Sequence, residues 1–318
     1  MTAAEHEPAD GPAPDRPREA RSPKPVVVGY DGSPSASAAV DWAAAAAAQS
    51  HTGVRVLTAV DYSSVPVWPG ASTENLRDVA LQRATAVADE GVSRALSVGP
   101  GVQASSFPAT GGAAGALVEA SRQASLLVLG RAEHGAFTSA LLGARSLTVI
   151  AHASCPVVLV PTGPTLPPGP GRPVVVGVDG SLAAASAVTF AADLAATWKA
   201  PLTVISVWQV PASETWARAY WDAAPNDAGL HSAKRERAEQ VVAEAVGMVQ
   251  ASHPDLDVAG QAVEGRAGQA LAAASADAGI VVVGSRGHGG FTGMLLGSVS
   301  HAVLHAARGP VAVIQPKP

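Results

Sequence analysis

Part of this chain is written twice. Val26-Val27-Val28-Gly29-Tyr30-Asp31-Gly32-Ser33 recurs as Val174-Val175-Val176-Gly177-Val178-Asp179-Gly180-Ser181. Further on, Leu126 to Gly130 (LLVLG) returns as Ile280 to Gly284 (IVVVG), and the thirteen residues from His134 to Ser146 return as His288 to Ser300 with eight identities. Repetition at so long an interval means two copies of one folding unit. The copies lie further apart in their late segments than in their early ones, so the second has gained residues in between. The 318 residues then divide into a tail, 1–24, two domains, 25–161 and 173–318, and a linker, 162–172. The tail is rich in Pro, Glu, Asp and Ala and reads as disordered. The linker's prolines lock φ and remove donors, and its glycines disfavour regular structure.

Within each copy, apolar runs alternate with helix-favouring stretches. In the second, Pro173 to Asp179 is a short apolar run, Ala183 to Lys199 is Ala-rich, and Leu202 to Trp208 is again β-branched. A long helix is expected from about Ala233 to Ser252, with Val241, Ala245, Met248 and Val249 on one face. There follow a strand near Leu256 to Val263, a helix from about Ala267 to Ala276, the strand Gly279 to Gly284, a helix opening near Ser298, and a last strand, Pro310 to Gln315. Runs apolar on both faces and separated by helices imply a parallel sheet covered on both sides. Each copy is therefore expected to be a five-stranded open-sheet α/β sandwich. With 47% hydrophobic residues but only 4% aromatic, its core must be built from Val, Leu, Ile and Ala.

Several function classes fall away. Lys and Arg number 21 against 26 Asp and Glu, with no basic block, so no nucleic-acid partner and no polybasic membrane anchor are expected. A single cysteine, Cys155, makes neither an internal disulfide nor a metal cluster. No apolar run approaches the roughly 20 residues of a membrane span, and residues 1 to 24 hold no signal-peptide core. The expected setting is the cytoplasm. No Gly-x-x-x-x-Gly-Lys-Ser/Thr, Gly-x-Gly-x-x-Gly or Gly-x-Ser-x-Gly pattern occurs, and none of the four lysines falls in an expected phosphate loop.

In open α/β sheets, ligands bind beyond the carboxyl ends of the strands. Two such ends in the second copy carry Gly and small polar residues: Asp179-Gly180-Ser181, and Gly284 onward through Arg286 and Gly287 to Gly297-Ser298-Val299-Ser300, which opens a helix. Glycines allow tight turns and close backbone approach, so successive N–H groups can face one anion. The helix N-terminus and the Ser298 and Ser300 hydroxyls would add donors. A polyphosphate suits such a loop, and Asp179 could accept from ribose hydroxyls or an exocyclic amine. A Gly-rich loop alone serves ordinary turns equally well.

Strand, Gly-x-x-Gly, nine residues, Gly-Ser and helix in succession are more specific. They resemble the nucleotide-binding motif of the universal stress protein family, and Val175-Val176-Gly177-Val178-Asp179-Gly180-Ser181 is also typical of that family. The resemblance spans Val26 to Pro161 and Val174 to Gln315. It implies a tandem of adenine nucleotide alpha hydrolase-like domains, each with five parallel strands ordered 3-2-1-4-5 and ATP between the ends of strands one and four. Carried over, Asp179 and Val207 would lie at the adenosine, and Gly284, Arg286, Gly287, Gly297, Ser298, Val299 and Ser300 around ribose and phosphates; Gly180, Ser181 and Val283 complete the expected contact set.

The first copy departs from the motif. Glu133 stands in place of the second glycine and Ala144 in place of the serine of Gly-Ser. Two like charges about 4 Å apart repel by roughly 4 kcal/mol at an effective dielectric near 20, so Glu133 opposes phosphate. Arg131 and Arg145 would offset this in part. Asp31, Gly130, Arg131, Gly143 and Ser146 remain as the weaker candidate contacts. The second copy is expected to bind ATP, with or without Mg²⁺, and the first weakly or not at all.

Other groupings carry less. His301 and His305 have a spacing that can share a metal, but their counterparts are Leu147 and Ala151, which favours helix packing, so no protein metal site is expected. His134 and His288 occupy matching loop positions, as phosphate contacts or as solvent-facing turns. Cys155 reads as a buried small residue rather than a redox sensor. Trp208, Trp216, Tyr220 and Trp221 read as interface or loop packing, with a lid over adenine as the alternative. The family resemblance implies a non-catalytic, ATP-binding regulator of stress or dormancy responses. Its alternatives are a slow Mg²⁺-dependent ATPase or phosphate-transferring enzyme, and a nucleotide-free interaction module. The last strands, Val157 to Val160 and Val311 to Ile314, are sheet edges in the family order, so association of the halves and a homodimer through these edges are expected.

Overall fold

A computed structural model describes residues 23–64, 72–131, 143–210, 227–287 and 295–316. In the first half, strands β1 (Val26–Gly29), β2 (Val54–Val60), β3 (Ala104–Thr110), β4 (Leu126–Arg131) and β5 (Val157–Pro161) alternate with helices α1 (Pro34–Gln49), α2 (Thr73–Val98), α3 (Ala113–Ser121) and α4 (Ala144–His152). The second half repeats the order, with β6 (Val174–Val178), β7 (Leu202–Trp208), β8 (Val258–Glu264), β9 (Ile280–Gly284) and β10 (Val311–Ile314). Its helices are α5 (Leu182–Trp198), α6 (Asp227–Ser252), α7 (Ala267–Ala274) and α8 (Ser298–Ala306). Residues 1–22 of the expected tail lie outside the described residues.

All strands form one sheet, ordered β3-β2-β1-β4-β5-β10-β9-β6-β7-β8. Each half is thus a parallel 3-2-1-4-5 sheet, as the family resemblance implied, and the halves meet where β5 and β10 run antiparallel. Val158 pairs with Ala312, its own counterpart, flanked by Leu159 with Val311 and Val157 with Val313, so a pseudo-two-fold axis passes through the central pair. The expected association of the halves is therefore a backbone ladder within one chain. A homodimer through these same edges is a correction: their donors and acceptors already face each other, and among the described residues the outermost strands of the sheet are β3 and β8.

Alternation within the strands builds two cores that each span both halves. Val26, Val28, Val174 and Val176 face α1, α2, α5 and α6, while Val27, Val175, Val281 and Val283 face α3, α4, α7 and α8. Helix α1 is rich in alanine and starts at Ser33, whose Oγ accepts from Ala36 N–H at 3.2 Å; Ser181 caps α5 on Ala184 N–H in the same way. Small alanine faces let these helices lie close on a Val-rich sheet. Helix α6 begins six residues before the expected Ala233. Val241, Ala245 and Val249 are buried, but Met248 is half exposed, because it lies at the margin of a buried stripe centred on Ala238, Ala245 and Val249.

Side chains fasten the junction on both faces. On one, Trp42 of α1 and Trp198 of α5 meet edge to face at 5.6 Å, and Trp198 Nε1 donates to Ser50 Oγ at 2.9 Å. On the other, the buried Arg131 reaches from β4 into the second half, donating to the carbonyls of Leu304 and Ala307 at 2.9 and 2.5 Å. Gln315 returns the contact by donating to Ile150 O at the end of α4, the counterpart of Leu304. Both helices thus have C-terminal carbonyls satisfied from across the junction, and Arg131 adds a positive charge where the helix dipole favours one.

Cys155 is buried, and desolvation pushes its thiol up to about 12, which agrees with a packing role. Among the described residues no helix is long and apolar enough to cross a membrane.

Two outcomes follow from this packing. Arg131→Met keeps the stem but strands two carbonyls, which is expected to cost about 1–3 kcal/mol and to lower the urea midpoint of the full chain; a wild-type midpoint would refute the clamp. Cys155 should resist a thiol reagent at pH 8 until the protein is unfolded. Because its folded pKa is raised, its neutral form costs nothing below the unfolded value near 9.0, and stability falls as pH climbs from there towards 12. Rapid labelling of native protein would contradict this burial.

Candidate functional site

The turn after β6 is built by three residues. Gly180 has φ +84°, a conformation other side chains rarely adopt, and Ser181 N–H donates to Asp179 Oδ1 at 3.0 Å. This sets the Asp179 carboxylate at the carboxyl end of the strand. The first half repeats the turn with Gly32 at φ +81° and Ser33 N–H on Asp31 Oδ1 at 3.0 Å.

Beside it, the segment leaving β9 passes under the start of α8. Gly297 N–H donates to Ser285 O at 2.8 Å, and Ser300 Oγ donates to Gly284 O at 2.6 Å. Among the described residues no side chain caps α8, and its first residues, Gly297 to Ser300, line the cleft. Gly287 is the tightest point against the neighbouring turn. A Cβ there would stand 2.2 Å from Asp179 Oδ2, so the missing side chain leaves the space that this carboxylate occupies.

These pieces enclose a cleft of about 300 Å³, at the lower end of small-molecule pockets. Of the residues singled out from sequence, Asp179, Val207, Val283, Gly284, Arg286, Gly287, Gly297, Ser298, Val299 and Ser300 line it. Gly180 and Ser181 do not; they shape the turn that carries Asp179. The Ser300 hydroxyl is a correction as well: its proton is committed to Gly284 O, so it holds the loop to the helix instead of standing free as a donor. Sequence reasoning passed over the apolar wall, to which Ile205, Leu271 and Leu296 contribute. A signal for Ile205 existed, since it lies two residues before Val207 on the same face of β7.

The cleft is therefore two-sided. Aliphatic side chains form one wall, and backbone N–H groups, the exposed Arg286 and the Asp179 carboxylate form the other. A flat apolar group on one side and an anion at the helix N-terminus on the other would both be accommodated.

The corresponding cleft in the first half holds about 160 Å³, with Asp31, Gly130, Arg145 and Ser146 in its lining. Gly143 is the N-cap of α4 and does not line it. Arg131 is displaced altogether, because its guanidinium is buried against the end of α8. Gly130 has a packing reason to be glycine: a Cβ would stand 2.4 Å from the Ser35 backbone. Glu133, His134, His288, Trp216, Tyr220 and Trp221 lie outside the described residues. Trp208 lies edge-on to His231 at 5.9 Å and does not line the cleft. Among the described residues, no group of three or more His, Cys, Asp or Glu is arranged to hold a metal.

The model of the universal stress protein family matches residues 23–161 and again 171–315. A universal stress protein of Mycobacterium tuberculosis strain H37Rv is 36% identical over 301 residues, covering 91% of this chain and 96% of its own. One from Mycolicibacterium smegmatis is 32% identical over 307 residues, covering 92% and 97%. Among solved structures, a universal stress protein of Archaeoglobus fulgidus superposes with a TM-score of 0.67 at 20% identity, covering 92% of this chain and 98% of that one, which shows the shared fold.

The glycines of the cleft make different demands. Gly287→Ala must push the Asp179 carboxylate aside and so strain its bond to Ser181 N–H, an expected cost of up to about 1 kcal/mol. Gly297→Ala meets its nearest neighbour at 3.4 Å, an ordinary contact, so its expected cost is only that of placing alanine at the N-cap of α8. A wild-type denaturation midpoint for Gly287→Ala would refute the close approach at Gly287.

Proposed function

The chain belongs to the universal stress protein family, and from that premise we propose that its second half, 173–318, binds ATP in the cleft between β6 and β9. The observation that carries this reading is the side-chain-free approach of Gly287 to Asp179, which puts a carboxylate, an uncapped helix N-terminus and an aliphatic wall around one space. On this reading Ile205 and Val207 pack the adenine. Asp179 Oδ2 accepts from ribose hydroxyls or the exocyclic amine. The first N–H groups of α8 and Arg286 receive the phosphates, where a helix N-terminus stabilises negative charge by about 0.3–1 kcal/mol. The bound triphosphate contributes its charge and its phosphate oxygens. A Mg²⁺ ion accompanying it would take those oxygens and water as its main ligands, in keeping with its reluctance to dehydrate.

We further propose that the working principle is occupancy: bound nucleotide shifts a conformational equilibrium in a stress or dormancy response. Asp179 supports recognition better than proton transfer, because Oδ1 is already engaged by Ser181 N–H. The first half, 25–161, is proposed to bind nucleotide weakly or not at all. Its cleft is about half the volume, Arg131 is committed elsewhere, and Glu133 stands where the second half has Gly287.

Calorimetric titration of the full chain with ATP tests the assignment. One site per chain is expected, and Gly287→Glu, which brings in the first half's residue, should remove it. Two equivalent sites, or unchanged binding by Gly287→Glu, would overturn it. Sustained ADP release by the wild type, abolished in the variant, would replace occupancy by catalysis.

A further inference from the structure

His301 and His305 lie four residues apart on α8, with their Nε2 atoms 3.2 Å apart and their ring centroids separated by 4.3 Å. Residues at i and i+4 share one face of a helix, and this face is open: His301 is exposed and His305 half-buried. Two imidazole nitrogens bound at about 2.0–2.1 Å to one tetrahedral cation stand about 3.3 Å apart, so the pair already has nearly the spacing of a chelate. In the free pair one ring donates to the other. Moving that proton to Nδ1 gives the second tautomer and leaves both Nε2 lone pairs available.

The backbone carrying the pair is also fixed. Arg131 grips the Leu304 and Ala307 carbonyls at one end of α8, and Ser300 ties the other end to Gly284. The first half has Leu147 and Ala151 at the corresponding positions, so the pair belongs to the second half alone.

We propose that His301 and His305 form a two-histidine site for a divalent transition cation of the zinc, copper or nickel class. Water fills the remaining positions, since among the described residues no third ligand joins the pair. Nitrogen-only donors select such cations over Mg²⁺ and Ca²⁺, which take oxygen ligands. The site faces solvent and does not depend on the nucleotide reading.

The test uses the full chain without a histidine tag, with Zn²⁺ titrated by calorimetry and Cu²⁺ followed by electron paramagnetic resonance. The chain has nine histidines, so the site is assigned by difference from His301→Asn, His305→Asn and the double variant. Melting without metal checks that these surface changes leave the fold intact. The expected results are one Zn²⁺ per chain, a Cu²⁺ spectrum with two imidazole nitrogens, and no response to Mg²⁺. Each single variant should weaken Zn²⁺ binding as much as the double, and by at least the roughly 10- to 100-fold that disturbing an outer-shell partner costs. Single variants that bind Zn²⁺ like the wild type, or a Cu²⁺ spectrum with only one imidazole nitrogen, would overturn the proposal.

Discussion

The antiparallel ladder between β5 and β10 is the contact on which the architecture depends. Each half alone would end in a strand that is buried on both faces yet has one row of backbone groups unpaired, an arrangement that invites association. Pairing Val157, Val158 and Leu159 with Val313, Ala312 and Val311 removes both edges at once. It also makes each of the two cores continuous across the junction, so neither half closes its hydrophobic layers without the other.

The direction of that ladder sets the geometry of function. Because β5 and β10 run opposite ways while each half is internally parallel, the carboxyl ends of the two sets of strands point to opposite ends of the sheet. The two clefts therefore open away from each other and share no wall. What joins them is indirect. Arg131 directly follows Gly130, which lines the first cleft, and it holds the end of α8, whose beginning lines the second. A residue that looked from sequence like a phosphate contact is instead a tie between the halves. Its own side chain accounts for the difference: the counterpart of Arg131 is Ser285, too short to cross, and the reciprocal contact comes from Gln315.

Much of this was legible in the residues. The written repeat gave the two units, and short β-branched runs between alanine-rich stretches gave the parallel strands within about two residues and their covering helices with one start, that of α6, misplaced by six. Most of the expected cleft lining came together because the loop after β9 and the start of α8 lie at adjoining strand ends, where the succession of Gly-x-x-Gly, nine residues and Gly-Ser had placed it. Three things stayed hidden for physical reasons. Arg131 could not be read because its partners lie 173 and 176 residues away and are backbone carbonyls, which leave no trace in side-chain identity. The Ser300 hydroxyl looked free because a hydroxyl that donates to a nearby carbonyl carries the same letter as one that does not. The aliphatic wall of the cleft was masked by resemblance to ordinary core, since Ile205 and Leu271 are both buried.

The glycines of the loop show why motif and mechanism have to be separated. Gly130 and Gly284 occupy the same position in the two halves, and in each the constraint is packing: an added Cβ would stand 2.4 Å from the Ser35 backbone in one and 3.0 Å from Ala183 in the other. Retention of Gly130 in the first half therefore says nothing about ligand binding. Gly287 is different, because what its missing side chain accommodates is the Asp179 carboxylate. The first half has Glu133 at that position, along with Ala144 for Ser298 and Arg131 turned to the junction, so its departure is spread over several residues. Restoring one glycine would leave the diverted arginine and the altered helix start in place. The two halves have kept the glycine that the fold needs, and they differ at the one that shapes the cleft.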